Sequence, residues 1–120
     1  MKKLLILTML VAIGGCSKEV VWDKLVERGG LVYEVNSQTP FTGSSVSYYD
    51  NGRLKEKENY KDGKADGLYE TYYENGQQRY KWNYKDGKSD GFQYTYKRNG
   101  ELERKTRWVD GELELWVGEY

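Results

Sequence analysis

The feature that most constrains this chain is a period of 24 residues. Asn51-Gly52, Asn75-Gly76 and Asn99-Gly100 form one series, and Asp62-Gly63, Asp86-Gly87 and Asp110-Gly111 a second. Tyr60, Tyr84 and Trp108 form a third, and Gly43, Gly67 and Gly91 a fourth. A period of this length marks a stack of equivalent supersecondary units, each leaning on its neighbour for burial. Every period holds two turn signals, because Asn, Asp and Gly tolerate the positive φ that tight turns demand. Between the turns lie runs of about eight residues, rich in Tyr, Trp and Thr with alternating polarity, the pattern of hairpin-linked strands. The expected fold is all-β: a single-layer antiparallel β-meander built from 24-residue hairpin repeats, open and twisted. The array spans 41–120, and residues 22–40 are expected as an atypical N-terminal hairpin that caps it.

Side-chain parity predicts a register. From Ser44 onward, twelve aromatic residues carry even numbers (Tyr48, Tyr60, Tyr72, Tyr80, Trp82, Tyr84, Phe92, Tyr94, Tyr96, Trp108, Trp116, Tyr120) and three carry odd ones (Tyr49, Tyr69, Tyr73). Three-residue loops at every turn would keep opposed residues at the same parity and gather the even aromatics on one face. That register opposes Tyr80 to Phe92, Tyr94 to Gln78 and Tyr96 to Leu102. It leaves a solvated odd face with Lys57, Arg79, Lys81, Lys105 and Arg107 among its charges.

The first sixteen residues read differently. Lys2 and Lys3 precede an apolar run from Leu4 to Ile13, too short to span a bilayer as a helix and suited to a signal peptide. Ile13-Gly14-Gly15-Cys16 resembles the bacterial lipobox, an apolar residue and two small ones before a cysteine that becomes acylated. The resemblance implies a lipoprotein signal peptide over 1–15, lipidation at Cys16, and a short tether over 16–21. Cys16 is the only cysteine, so no internal disulfide is available. More than one acyl chain gives stable anchoring. The implied location is the cell envelope, lipid-anchored: the outer membrane if the host has one, otherwise the outer face of the cell membrane.

Charge and composition narrow the function classes. Nineteen basic and nineteen acidic residues become seventeen and nineteen without Lys2 and Lys3. No basic stripe remains to drive nucleic-acid binding. The chain has no His, and therefore neither the commonest general base nor the commonest metal ligand. Even parity would let Glu56, Glu58 and Glu70 lie close together, and rim charges around an aromatic sheet account for them more simply than glycoside chemistry. In the Asp62, Asp86 and Asp110 series, Lys61, Lys64, Lys85 and Lys88 flank the first two turns, and no run of oxygen ligands follows calcium-loop spacing. No enzyme activity, cofactor or metal is expected.

The pattern in Tyr48-Tyr49, Asn51-Gly52, Tyr60, Asp62-Gly63, Lys64 and Asp66-Gly67 recurs at Tyr72-Tyr73, Asn75-Gly76, Tyr84, Asp86-Gly87, Lys88 and Asp90-Gly91. It resembles the MORN repeat variant of bacterial proteins, as does the Thr39–Gly43 entry. The third copy has Lys97, Trp108, Glu112 and Glu114-Leu115 in place of the pattern residues. Some members of that family are described as antitoxins, but an export signal separates this chain from a cytoplasmic toxin. The resemblance instead implies membrane association or scaffolding.

The candidate binding face comprises Tyr72, Tyr80, Trp82, Tyr84, Phe92, Tyr94, Tyr96, Trp108 and Trp116, since Tyr and Trp serve where one end of a ring is dry and the other wet. The expected function is a membrane-anchored extracytoplasmic protein-interaction or scaffolding module, with a protein partner or self-association through the last strand. The alternative is a cell-wall or glycan-binding module.

Overall fold

The computed structural model describes residues 18–119. The segment expected as a signal peptide, and Cys16, lie outside the described residues. The strands are β1 (Glu19–Val21), β2 (Leu25–Arg28), β3 (Leu31–Glu34), β4 (Gly43–Tyr48), β5 (Leu54–Lys61), β6 (Lys64–Tyr72), β7 (Gln78–Lys85), β8 (Lys88–Ser89), β9 (Gly91–Tyr96), β10 (Leu102–Val109) and β11 (Glu112–Glu119). One open sheet runs β1-β4-β5-β6-β7-β9-β10-β11, with β8 also on β7. All pairs in it are antiparallel except β1 with β4. β2 and β3 form a separate two-stranded sheet, reached from β1 through a 3-10 turn at Trp22–Lys24. Glu19–Val21, expected as part of a tether, is thus the strand that covers the β4 edge.

The two turn dipeptides make different turns. At Asn51-Gly52 the Tyr49 amide bonds the Arg53 carbonyl and the Gly52 amide bonds the Tyr49 carbonyl, a three-residue loop in which Gly52 has φ +86°. The Asn51 side chain accepts the Arg53 amide at 2.9 Å, and Asn75 and Asn99 repeat that bond to Gln77 and Glu101. At Asp62-Gly63 the loop has two residues, because Lys61 stands opposite Lys64. Both central residues have positive φ, +49° and +84°, as a type I′ turn requires. Asp86 and Asp110 follow at φ +50°.

This difference corrects the expected register. A two-residue loop opposes odd to even positions, so each Asp-Gly turn exchanges the parity that faces a given side. At the Asn-Gly turns a bulge does the same. Tyr48 faces Leu54, but Ser47 faces Glu56, leaving Lys55 extra; Arg79 and Glu103 are the extra residues in the later copies. Tyr80 therefore faces Thr95 and Phe92 faces Arg107, not each other. Tyr94 faces Lys81, not Gln78, and Tyr96 faces Leu102 as expected. The even aromatics divide between both faces. Tyr60, Tyr80, Trp82, Tyr84 and Trp108 lie on one, with Tyr69; Tyr48, Tyr72, Phe92, Tyr94 and Tyr96 lie on the other, beside Lys81, Lys105 and Arg107. The charged odd face does not exist as a unit.

Adjacent repeats are stitched at both ends. The Gly63, Gly87 and Gly111 amides donate at 2.8 Å to the Phe41, Ala65 and Ser89 carbonyls of the preceding unit. The Asp62, Asp86 and Asp110 amides donate to the side chains of Thr42, Asp66 and Asp90 at 2.9, 3.3 and 3.3 Å. At the opposite end the Tyr49 hydroxyl donates to the Tyr72 carbonyl at 2.6 Å and Tyr73 to Tyr96 at 2.7 Å. Asn51 and Asn75 amides reach the Glu74 and Arg98 carbonyls. Each bond contributes about 0.5–1.5 kcal/mol net. The glycine series has its own partner: Gly43, Gly67 and Gly91 stand opposite Tyr60, Tyr84 and Trp108 in the strand register.

The hydrophobic core is small. Among the described residues Phe41 and Val46 are the buried apolar ones, and Phe41 packs on the Tyr60 ring at 5.9 Å. The β2-β3 hairpin closes this end. Val32 donates to the Gly63 carbonyl and accepts from the Phe41 amide, so Gly63 is buried where Gly87 and Gly111 are exposed. A Cβ at Gly63 would meet Leu31 Cβ at 3.0 Å and the Val32 nitrogen at 3.2 Å, whereas one at Gly87 would meet only Lys64 Cβ at 3.9 Å. Gly87→Ala should cost the ~1–2 kcal/mol of a left-handed Ala. Gly63→Ala should cost at least about 1 kcal/mol more, from crowding. Urea melts of the two variants should separate in that order, and equal midpoints would show that the hairpin does not seat on this turn.

Candidate functional site

The hairpin divides the sheet surface. Its Leu25, Val26 and Val32, with Trp22 of the preceding 3-10 turn, share a cavity of about 290 Å³ with Ser45, Glu56, Glu58 and Tyr60, so this side is the capped face at the first repeat. The other side is the open face.

Glu56 and Glu58 sit two apart on β5 and thus point to the capped face together. Each accepts a tyrosine hydroxyl: Tyr69 donates to Glu56 at 3.0 Å and Tyr60 to Glu58 at 2.7 Å. Glu70, grouped with them by parity, lies on the open face opposite Lys57 and Lys81, where Tyr72 and Gln78 donate to it. The three carboxylates therefore do not form one site. Burial pushes the Glu58 carboxyl up, the Tyr60 hydrogen bond partly offsets this, and the Glu56 charge adds to the rise. The Tyr60 and Tyr69 hydroxyls are pushed far up by burial and by the carboxylates they bond. Tyrosinate at either position would face those same charges, so both remain donors.

Beyond the hairpin the capped face carries Tyr69, Tyr80, Trp82, Tyr84 and Trp108. The Trp82 ring lies 4.7 Å from Tyr80 and 5.9 Å from Tyr69, and Tyr84 meets Tyr69 edge-on at 6.2 Å. The Trp108 indole N–H donates to the Thr106 hydroxyl at 2.9 Å. Trp116 stands on β11 opposite Thr106; its side chain lies outside what is described.

The open face carries the remaining candidates. Phe92, Tyr94 and Tyr96 run along β9 with ring centroids 6.2 and 6.4 Å apart. The Lys105 ammonium sits 4.5 Å from the Phe92 centroid and 5.4 Å from that of Tyr94, and the Arg107 guanidinium is 5.8 Å from Phe92. Cations over aromatic rings contribute about 0.5–1 kcal/mol each when exposed. Tyr72 is half-buried beside Gln78. The eight sequence candidates whose side chains are described are thus two sets on opposite sides of one sheet.

Several residues of these surfaces carried no obvious mark in the sequence. Gln93 and Thr106 are buried polar residues under the capped face, and Leu68, exposed on the open face, occupies the position equivalent to Phe92. Asp66 and Asp90, legible only as half of an Asp-Gly pair, are the acceptors that receive the next turn. The series Thr42, Asp66, Asp90 at the repeat period was the available signal.

The geometry defines an all-β array of stitched hairpin units. The family model of the MORN repeat variant matches residues 41–62 and again 65–86. Each match runs from the acceptor carbonyl, Phe41 or Ala65, to the Asp-Gly turn. The same bonds recur between 89 and 111, so a third unit is present in geometry. No curated protein and no solved structure matches the chain.

A raised carboxyl group makes stability fall with pH. Glu58 binds its proton more tightly folded than unfolded, so its contribution is full below the unfolded range near 4.5 and is lost as pH rises through the higher folded value. Glu58→Gln keeps an acceptor for Tyr60 and removes the titration. Its urea midpoint should exceed that of the wild type at pH 7 and coincide with it at pH 4. A wild type that gains on the variant between those pH values would contradict the burial of this carboxylate.

Proposed function

We propose that the chain is a lipid-anchored envelope protein whose repeat array is a protein-interaction or scaffolding module working through its open face. MORN-variant repeats are consistent with such a module. The observation that carries this reading is the β9 row. Phe92 stays 40% exposed although Lys105 and Arg107 lie against it, and Tyr94 and Tyr96 extend the strip. An exposed ring flanked by cations suits a partner that brings an apolar side chain and carboxylates. The reading assigns no chemistry to Glu56 and Glu58, which tyrosines already engage.

The anchor reading rests on Met1 to Cys16. Acylation needs the thiol, so Cys16→Ala should move the protein from the membrane fraction to the soluble one, or leave it with an uncleaved N-terminus. A wild-type mature N-terminus without acyl mass in mass spectrometry would overturn it. The envelope location, with the outer membrane if the host has one, follows from the same residues.

The open face is tested by retention of partners from the native envelope on the detergent-solubilised chain. Phe92→Glu should lose the partner that wild type retains, while a capped-face change, Trp108→Tyr, should keep it. Equal retention by Phe92→Glu would rule out the β9 row as the contact. Self-association is the second reading, favoured by β11, whose outer edge pairs with nothing among the described residues. Such edges accept added strands. A sedimentation coefficient that rises with concentration identifies a second copy as the partner.

A further inference from the structure

On the capped face, beyond the reach of the hairpin, a groove of about 380 Å³ is lined by Trp82 of β7, Gln93 and Thr95 of β9, and Trp108 of β10, with Ser89 and Thr106. β9 runs between the two tryptophans, so Gln93 and Thr95 form the floor and the indoles the walls. Both indoles are held in place before any ligand arrives: Trp82 by Tyr80 and Tyr69, and Trp108 by its bond to Thr106. Gln93 is only 6% exposed. Its carboxamide makes a single long hydrogen bond among the described residues, 3.5 Å from Nε2 to the Asn83 carbonyl. A buried amide holds two donors and an acceptor, and leaving them unused is costly. The rest of that capacity is available in the groove.

We propose that this groove binds a carbohydrate, a short run of pyranose rings. Three features select that class. The strand beneath is paired on both sides, by β7 and β10, so no backbone edge is offered to an extended peptide and recognition falls to side chains alone. Among the described residues the lining contains no carboxylate, and its one charged residue is Arg104, so the groove is not built for a cationic ligand. An alkyl chain would fit the indoles but would seal the Gln93 amide without a partner. A pyranose ring offers apolar C–H faces for the tryptophans, and its hydroxyl edges are donors and acceptors for Gln93, Thr95 and Ser89. The volume lies within the range of small-ligand pockets, about 300–1,000 Å³. This site is on the opposite side of the sheet from the β9 row, and neither depends on the other.

The test is titration of the detergent-solubilised full chain with cellotetraose, chitotetraose and maltotetraose, followed by tryptophan fluorescence and calorimetry. At least one should bind saturably with a change in indole emission. Trp108→Tyr restores the residue that Tyr60 and Tyr84 place at equivalent positions and so keeps the repeat, yet it should weaken binding several-fold. Gln93→Leu should weaken it by about tenfold or more, the cost of an interaction at a hot spot. Trp22→Ala, in the 3-10 turn before the hairpin, should leave it unchanged. The proposal is overturned if none of the three sugars binds the wild type at the limit of solubility. It is equally overturned if Trp108→Tyr and Gln93→Leu, shown folded by circular dichroism, bind as the wild type does. Capture of an extended peptide in the groove with no sugar binding would assign the site to another class and reject this one.

Discussion

The structure depends on where the amides of the Asp-Gly turns point. In an isolated type I′ hairpin the turn amides face water. Here both amides of each turn donate backwards into the preceding unit, one to a carbonyl and one to a Thr or Asp side chain. The turn that closes one hairpin is therefore the device that fixes it to its neighbour. A sheet with so few buried apolar residues could not hold a long meander rigid by burial alone. Hydrogen bonds between units at both ends of the hairpins take that role.

The rigidity has a functional consequence. Because the stitches use loop ends and backbone, both faces of the sheet are left to side chains. The hairpin takes up the first part of one face, where Glu56 and Glu58 are shielded, and the remaining aromatic surface is displayed on both sides. A rigid extended sheet with half-exposed rings can present two chemically different surfaces: a cation-flanked row on one side and an indole-walled groove with a polar floor on the other.

The period, the strands and the turn positions were legible in the sequence because each is a local property of the chain. The faces were not. Asn-Gly and Asp-Gly look alike as turn signals, yet one closes a three-residue loop with a bulge one step on and the other a two-residue loop. The Asn-Gly turn is closed by its own Asn side chain on the amide two residues on, whereas the amide of the Asp-Gly turn is committed to a carbonyl in another repeat. That commitment is non-local, so parity counted along the chain placed Tyr80 with Phe92 when they lie on opposite faces. The second Tyr of each pair, Tyr49 and Tyr73, read as part of the strand pattern, is in fact a hydroxyl reaching the next unit. Lys97 at that position in the third unit is the change that marks where this series stops. The groove was illegible for a related reason: Trp82 and Trp108 were visible as aromatics, but Gln93 between them is meaningful only once β9 is known to run there.

Native-state hydrogen exchange at single-residue resolution addresses the central claim most directly. The amides of Asp62, Gly63, Asp86, Gly87, Asp110 and Gly111 should be protected to the level of neighbouring strand amides, because each is held by the preceding repeat. Exchange of these six amides at the rate of free turn residues, with the strands still protected, would show that the repeats are joined only through their strand ladders and would contradict the account.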